Sequence, residues 1–185
     1  MSLVRHLILD VAAARARFLE MVGKPSPAQA VFRPAPDAWS ITDNIEHITL
    51  AEQGGINSIW KALAGARAGT PVWTGTLVHT GLNIEKIIAT TWKEREQVPA
   101  TAAPKWGGPA EYWISALRSV QSQLDALGAE LERAEGEGIE LATVVYPHVI
   151  SGPLDVQQRL EFLRFHLDRH RGQVERIRQH ADFPR

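Results

Sequence analysis

The sequence contains no cysteine, and this absence narrows the chemistry open to the chain. Without thiols there are no disulfides, no thiolate metal ligands and no cysteine nucleophile, so His, Asp and Glu remain as candidate metal ligands. An excess of one sign of charge is also missing, since 20 basic and 21 acidic residues give a formal net charge of -1. We therefore expect neither the basic surface of a nucleic-acid binder nor that of a membrane-surface binder.

Long apolar runs are absent as well, although 44% of the 185 residues are hydrophobic. The N-terminal stretch MSLVRHLILDVAAARARF interrupts its apolar pattern with Asp10 and with three arginines. It has neither the uninterrupted apolar core of a signal peptide nor the apolar run of a transmembrane helix. We therefore expect a soluble, cytoplasmic protein whose residues 1–185 form one domain.

Four segments carry helical periodicity and no segment alternates convincingly with a period of two, so the sequence predicts an all-α fold. The second segment opens with an S-x-x-D capping pattern at Ser40, and the fourth opens with a capping-box-like pattern at Asp155. The predicted helices cover roughly residues 3–23, 40–65, 113–131 and 155–177.

Two stretches between these helices lack a clear helical pattern. Residues 67–108 mix Gly, Pro and Trp around one short possible helix, LNIEKIIATTWKERE, and we interpret them as a long crossover. The segment GEGIELATVVYPHVISGP carries three Gly and two Pro, which favour a loop before the last helix. The sequence therefore predicts a four-helix bundle with a long crossover between helices 2 and 3, a known bundle topology.

A histidine pair on the last predicted helix carries the candidate chemistry. His166 and His170 in HLDRH lie one helical turn apart, so both imidazoles face the same side and can reach one ion. Gln173 continues the same line, where it orients a ligand or substrate or is simply a polar residue at a helix contact. The spacing alone fits equally well with two ordinary histidines at a bundle edge.

His47 on the second predicted helix is the third candidate ligand. Ala51, Gly54 and Ser58 follow it at roughly one-turn intervals, and such small residues leave room beside the imidazole. The pattern indicates a second contact face that lines a cavity. Close helix packing through Gly and Ala is the alternative explanation.

Three stretches place these residues in a distinctive order along nearly the whole chain. PDAWSITDNIEHITLAEQ joins a Trp and Ser helix start to His47, YPHVISGPLDVQQRL joins a glycine turn to a polar helix cap, and FLRFHLDRHRGQVERI contains H-x-x-x-H-x-x-Q. Together they resemble the DinB superfamily, and in particular its YfiT-like members, which are regarded as metal-dependent hydrolases.

The resemblance implies an up-down-down-up four-helix bundle, usually within a homodimer. It also implies that His47, His166 and His170 are facial ligands to a divalent metal, namely nickel, zinc or iron. Because such an ion lowers the pKa of bound water or of a bound thiol, two enzyme classes acting on a small molecule follow: a hydrolase, and a transferase that uses a low-molecular-weight thiol. A non-catalytic metal-binding or interaction bundle is the third hypothesis.

The sequence identifies no general base for the hydrolase hypothesis. Leu167 stands where a zincin places its Glu, and Asp168 points about 200° away around the helix. Glu46 and Glu161 are candidates only by their proximity in sequence. The transferase hypothesis needs no dedicated base. The charged tail of a thiol would find cationic contacts at the pocket mouth from Arg33, Arg164, Arg169 or Arg171, and solvated helix faces are the alternative explanation for these arginines.

We predict no metal ligand among the remaining histidines. His148 contacts a ligand residue or lines the pocket entrance, or else it is an ordinary loop histidine. His6, His79 and His180 lack the spacing of ligands. The tryptophans are interpreted as core or interface aromatics: Trp39, Trp60, Trp73, Trp92, Trp106 and Trp113.

Overall fold

The computed structural model describes residues 1–93, 98–100 and 102–185, and most of these residues are helical. The described helices are α1 (Leu3–Val22), α2 (Pro27–Val31), α3 (Ile41–Arg67), α4 (Ile84–Thr91), α5 (Ala110–Gly136) and α6 (Val156–Arg178). A 3-10 turn at Leu141–Thr143 leads into two short strands, β1 (Val145–His148) and β2 (Gly152–Asp155). Within this described part, no helix combines the length and the apolarity needed to cross a bilayer.

The four long helices α1, α3, α5 and α6 form a bundle, which confirms the predicted all-α fold. Helix α1 runs parallel to α6, α3 runs parallel to α5, and the two pairs run in opposite directions, as in an up-down-down-up bundle. The contacts that set these directions are Arg17–Asp168 and Val22–Arg178 between α1 and α6, Glu46–Lys105 and Arg67–Glu137 between α3 and the α5 region, and His47–His166 between α3 and α6.

The predicted helix starts are observed with their caps. The Ser40 and Asp43 side chains cap each other's backbone N–H groups at the start of α3. Asp155 and Gln158 form the equivalent capping box at the start of α6. The Gln158 side-chain amide also donates to the carbonyl of His79 at 2.7 Å, so the cap of α6 holds part of the crossover in place.

The structure corrects the prediction in the connecting segments. The segment before the last helix is not only a loop, because strands β1 and β2 pair antiparallel there from Val145↔Asp155 to His148↔Gly152. The strands are four residues long and each contains a Pro, so a period-two pattern cannot be recognised in the sequence. The Pro-rich loop after α1 likewise contains the short helix α2 with its own capping box.

The crossover between α3 and α5 is partly helical. Helix α4 occupies the first part of the predicted LNIEKIIATTWKERE helix and ends at Thr91. Residues 94–96 of that stretch lie outside the described residues. A small apolar cluster packs α4 against α6 and β2, separately from the main bundle core; its buried members are Ile84, Ile87, Leu154 and Phe162. This cluster places the crossover beside the His-bearing face of α6.

A buried ion pair joins α1 to α3 inside the bundle. Arg15 and Glu52 are 3% and 1% exposed, and the guanidinium donates two hydrogen bonds to the carboxylate, at 2.7 and 3.0 Å. Burial raises the pKa of Glu52, and the hydrogen bonds from Arg15 oppose this effect. Each charge therefore depends on the other for its place in the core.

We expect Arg15→Met to lower the free energy of unfolding by about 3–5 kcal/mol, because it leaves the Glu52 carboxylate buried without its cation. The double variant Arg15→Met/Glu52→Leu should recover most of this loss, since no unpaired charge remains. Urea unfolding followed by circular dichroism measures both effects. Arg5→Met on the exposed face of α1 is the matched control, and equal losses in the single and double variants would contradict the prediction.

Candidate metal centre

Helices α3 and α6 bring three imidazoles to one point inside the bundle. His47 comes from α3, and His166 and His170 come from successive turns of α6. The Nε2 atom of His166 lies 3.1 Å from Nε2 of His47 and 3.1 Å from Nε2 of His170. All three side chains are buried, and their candidate ligand atoms lie within 4.8 Å of one another. This cluster can therefore hold a metal ion.

The opposite ring nitrogens of two of these histidines are hydrogen-bonded to fixed acceptors. Nδ1 of His47 lies 2.7 Å from the carbonyl oxygen of Ala102 in the crossover. Nδ1 of His170 lies 2.8 Å from Oδ1 of Asn44, whose amide nitrogen donates to the Ser40 carbonyl and thereby fixes the amide orientation. Because both acceptors lack a proton, Nδ1–H is the donor in each ring, and each Nε2 presents a lone pair to the cluster.

The environment also keeps the three imidazoles neutral. Burial is the largest effect on each and lowers the pKa of His47, His166 and His170. The positive charge of Arg169 lowers the pKa of His166 and His170 further. Neutral imidazole is the form that binds a metal, so the cluster is suited to a cation even though it lacks thiolates and carboxylates.

Aromatic rings hold the imidazoles in place. Trp39 stacks on His170 with 5.8 Å between ring centroids, and Phe162 stacks on His166 with 5.2 Å. Trp39 and Trp92 line the cavity beside the cluster. Both tryptophans were interpreted from the sequence as core or interface aromatics, so their position beside the histidines was missed. The order Trp39, Ser40, His47 was a signal for Trp39.

The cluster opens into a cavity of about 1080 Å³ between α3, α6, the crossover and the turn of the β-hairpin. Ala51, Gly54 and Ser58 line this cavity, as the cavity interpretation of the His47 face predicts. The alternative explanation, close packing, applies to the next residue: a Cβ on Gly55 would lie 2.7 Å from Cδ2 of Leu163 on α6. Gly54, in contrast, has open space where its Cβ would be.

The two predicted pocket residues also line the cavity. Gln173 lies one turn beyond His170, and His148 lies in the hairpin against Phe162. Nδ1 of His148 accepts the backbone N–H groups of Ile150 and Ser151, at 3.2 and 3.1 Å. Burial and the charge of Arg159 lower the pKa of His148 to about 3, so at neutral pH it is a neutral ring with its proton on Nε2.

The carboxylates considered as bases are occupied elsewhere. Glu46 is fully buried and accepts backbone N–H groups from the crossover, at 2.6 Å from Lys105 and 2.9 Å from Trp106. Glu161 accepts the N–H of Ile84 at 3.0 Å. None of the described residues that line the cavity is Asp or Glu. Glu46 and Glu161 therefore position the crossover and α4, and they do not reach the cluster as bases.

The cationic residues of the cavity differ from those expected. Arg169 lines it, but Arg33, Arg164 and Arg171 pair with the carboxylates of Asp43, Glu85 and Asp168 respectively. Two further arginines line the cavity and were missed, Arg159 and Arg176. Arg159 precedes His166 by two helical turns on the same face of α6, and this seven-residue spacing is the signal that could have found it.

A family model described as the DinB superfamily matches residues 11–174. The match begins within α1 and ends within α6, so it includes the three histidines, the crossover and the β-hairpin. No curated protein and no solved structure matches the chain.

We expect Asn44→Ala to weaken divalent-metal binding by about 10–100-fold, because it removes the acceptor that fixes the His170 tautomer. Isothermal titration with zinc and with nickel measures the effect. Asn57→Ala, on the exposed face of the same helix, is the matched control and should bind as the unchanged protein does. If both variants bound equally well, Asn44 would have no role in orienting His170.

The metal-free protein should lose stability as the pH falls below 6.5, the ordinary pKa of these histidines. The unfolded chain takes up protons on them there while the folded chain does not, which favours unfolding by up to about 1.4 kcal/mol per histidine and pH unit. His148→Asn can still accept the two backbone N–H groups. This variant should reduce the change of the free energy of unfolding with pH by the contribution of one histidine, up to about 1.4 kcal/mol per pH unit. Urea unfolding at several pH values measures it.

His6→Ala provides the control for this titration, because the His6 side chain is 58% exposed and leaves the core unchanged. The same free energy of unfolding across this pH range would contradict the burial of neutral imidazoles.

Proposed function

The chain belongs to the DinB superfamily, and we propose that it is a metal-dependent enzyme that transfers a low-molecular-weight thiol to an electrophilic small molecule. One observation carries the proposal: three Nε2 atoms converge in a cavity whose described lining contains no carboxylate. The site thus offers a metal position without a dedicated proton acceptor beside it.

His47, His166 and His170 would hold the ion. DinB-like proteins bind divalent metals, and an all-imidazole donor set suits nickel, zinc and iron. When bound, the ion supplies Lewis acidity that lowers the pKa of a thiol or a water molecule beside it. Asn44 and the Ala102 carbonyl keep two of the imidazoles in the tautomer that leaves Nε2 available.

Thiol transfer is favoured over hydrolysis because the described cavity lining offers no carboxylate that could accept a proton. Hydrolysis through an activated water needs a group that shuttles protons between the nucleophile and the leaving group. His148 does not fill this role, because its Nδ1 accepts two backbone N–H groups and its Nε2 already carries a proton. A thiol has a far lower pKa than water, so its proton can pass to solvent without a positioned base.

The transfer step balances with the thiol and the electrophile alone. The sulfur lone pair forms a carbon–sulfur bond as the bond from that carbon to the leaving group breaks. The leaving group departs with the bonding electrons, and the thiol proton passes to solvent. Trp39, Trp92 and Phe162 give the cavity apolar walls that restrict water around the reacting atoms.

Thiol consumption tests the proposal directly. The zinc- or nickel-loaded protein should accelerate the loss of free thiol when mycothiol, bacillithiol or glutathione is mixed with an alkyl or aryl halide, as measured by thiol titration and mass spectrometry of the thioether. Removing the metal with a chelator, or replacing His166 by Ala, should return the rate to that of the uncatalysed reaction. His6→Ala is the matched control, since His6 lies on the exposed face of α1.

Three outcomes would contradict the proposal. Metal-dependent hydrolysis of esters or amides without thiol consumption would identify a hydrolase and would require a proton acceptor. Tight metal binding with neither activity would indicate a non-catalytic metal-binding bundle. A lack of metal binding in the unchanged protein would refute the metal centre itself.

A further inference from the structure

The cavity is positively charged along its α6 wall. Arg159, Arg169 and Arg176 all line it, and within residues 1–93, 98–100 and 102–185 none of the three forms an ion pair with a carboxylate. Other arginines of the same protein do form such pairs, for example Arg15 with Glu52. The described cavity lining therefore concentrates cations without counterions.

Arg159 is the extreme case, because it is buried as well as unpaired. Its side chain is 7% exposed, and its Nε atom is buried without a hydrogen-bond partner in the described part of the chain. Burial lowers the pKa of Arg159 to about 10, so the guanidinium remains charged at neutral pH. A buried cation without a partner is strongly unfavourable, so a ligand that supplies the missing charge would relieve a large penalty.

The contact that Arg159 does make accounts for only part of this penalty. Its guanidinium carbon lies 5.7 Å from the centre of the Tyr146 ring in β1. Such a cation–π contact holds the guanidinium in position, but it supplies neither a negative charge nor a hydrogen-bond acceptor for Nε. The arrangement is that of a positioned donor group whose acceptor is absent from the described residues.

Arg159 also lies at a defined distance from the histidine cluster. It precedes His166 by seven residues on α6, which corresponds to about 10 Å along the helix because an α-helix rises about 1.5 Å per residue. Phe162 and Leu163 line the cavity between them. A small molecule that reaches both ends therefore needs an apolar or neutral middle and two different end groups.

We infer that Arg159 binds a carboxylate of the small molecule that occupies this cavity. A carboxylate matches the planar fork of the guanidinium and supplies the single negative charge that Arg159 lacks. The statement about substrate class rests on the proposed function: the thiol or the electrophile carries an acid group about two helical turns from the atom that lies at the histidine cluster. The binding of a carboxylate at Arg159 does not depend on turnover or on a metal.

Binding of octanoate to the metal-free protein tests this inference, with octanamide as the neutral probe of the same shape. Isothermal titration should show that the unchanged protein binds octanoate at least about tenfold more tightly than octanamide. Arg159→Met should abolish this preference, and Arg159→Lys should retain part of it. Arg164→Met is the matched control, because Arg164 lies on the same helix, pairs with Glu85 and is not part of the cavity lining.

Thermal unfolding gives a second measurement that a purely structural role would not produce. Octanoate should raise the Tm of the unchanged protein and of Arg164→Met, and it should leave the Tm of Arg159→Met unchanged. Without ligand, Arg159→Met should be at least as stable as the unchanged protein, since it removes an unpaired buried charge. If Arg159→Met fails to fold, Arg159→Gln replaces it in both measurements.

The inference would be overturned if the unchanged protein bound octanoate and octanamide equally, or if Arg159→Met kept the preference for octanoate. These failures are distinct from failure of the proposed function. Octanoate binding at Arg159 without thiol consumption would leave the carboxylate site in place and refute only the transfer activity.

Discussion

The position of one proton on each of two imidazoles is the constraint on which the rest of the site depends. The Ala102 carbonyl and the Asn44 amide oxygen each require a donor, so His47 and His170 carry their protons on Nδ1 and direct Nε2 toward His166. If either ring adopted the other tautomer, an N–H would point into the cluster and exclude a cation. The crossover therefore does more than connect two helices, because its Ala102 carbonyl accepts the hydrogen bond from His47. Glu46, the residue before His47 on α3, accepts the backbone N–H of Trp106 and so anchors the crossover.

Residues that repeat at helical spacing were predictable, and residues brought together by the connections were not. The stripe of α6 and the one-turn spacing of His166 and His170 follow from the period of the helix, so the bundle and this pair on one face could be predicted from periodicity. The three-histidine ligand set with His47 was implied by the resemblance to the DinB superfamily. The β-hairpin could not, because its strands are short and contain Pro, and their pairing depends on packing against α6. Arg159 was missed for another reason: a lone Arg on a helix is normally solvated, and only the tertiary structure shows that it is buried without a partner.

Arg15 and Arg159 are both buried, but their charges are compensated differently. Arg15 and Glu52 satisfy one another in the bundle core, where a pair of charges joins two helices. Around the cavity the described carboxylates are instead directed outward or toward the backbone, as Glu161 is by the N–H of Ile84. Arg159 is left with no such neighbour among the described residues. The buried charge of Arg159 therefore lowers the stability of the fold at this cavity. Such a local loss of stability is common where a site is shaped for a ligand.

The positive charges and the neutral imidazoles of the cavity support one another. Arg169 disfavours protonation of His166 and His170, so the same charge that would attract an anion also keeps these rings available for a metal. A cavity with cations and a metal position but no described acidic residue favours ligands with negative charge at both ends. A thiol with an acid group has this character, because its sulfur becomes anionic beside a cation and its carboxylate is anionic already. The charges along α6 thus favour one ligand that places an anionic group at the candidate metal centre and a carboxylate at Arg159.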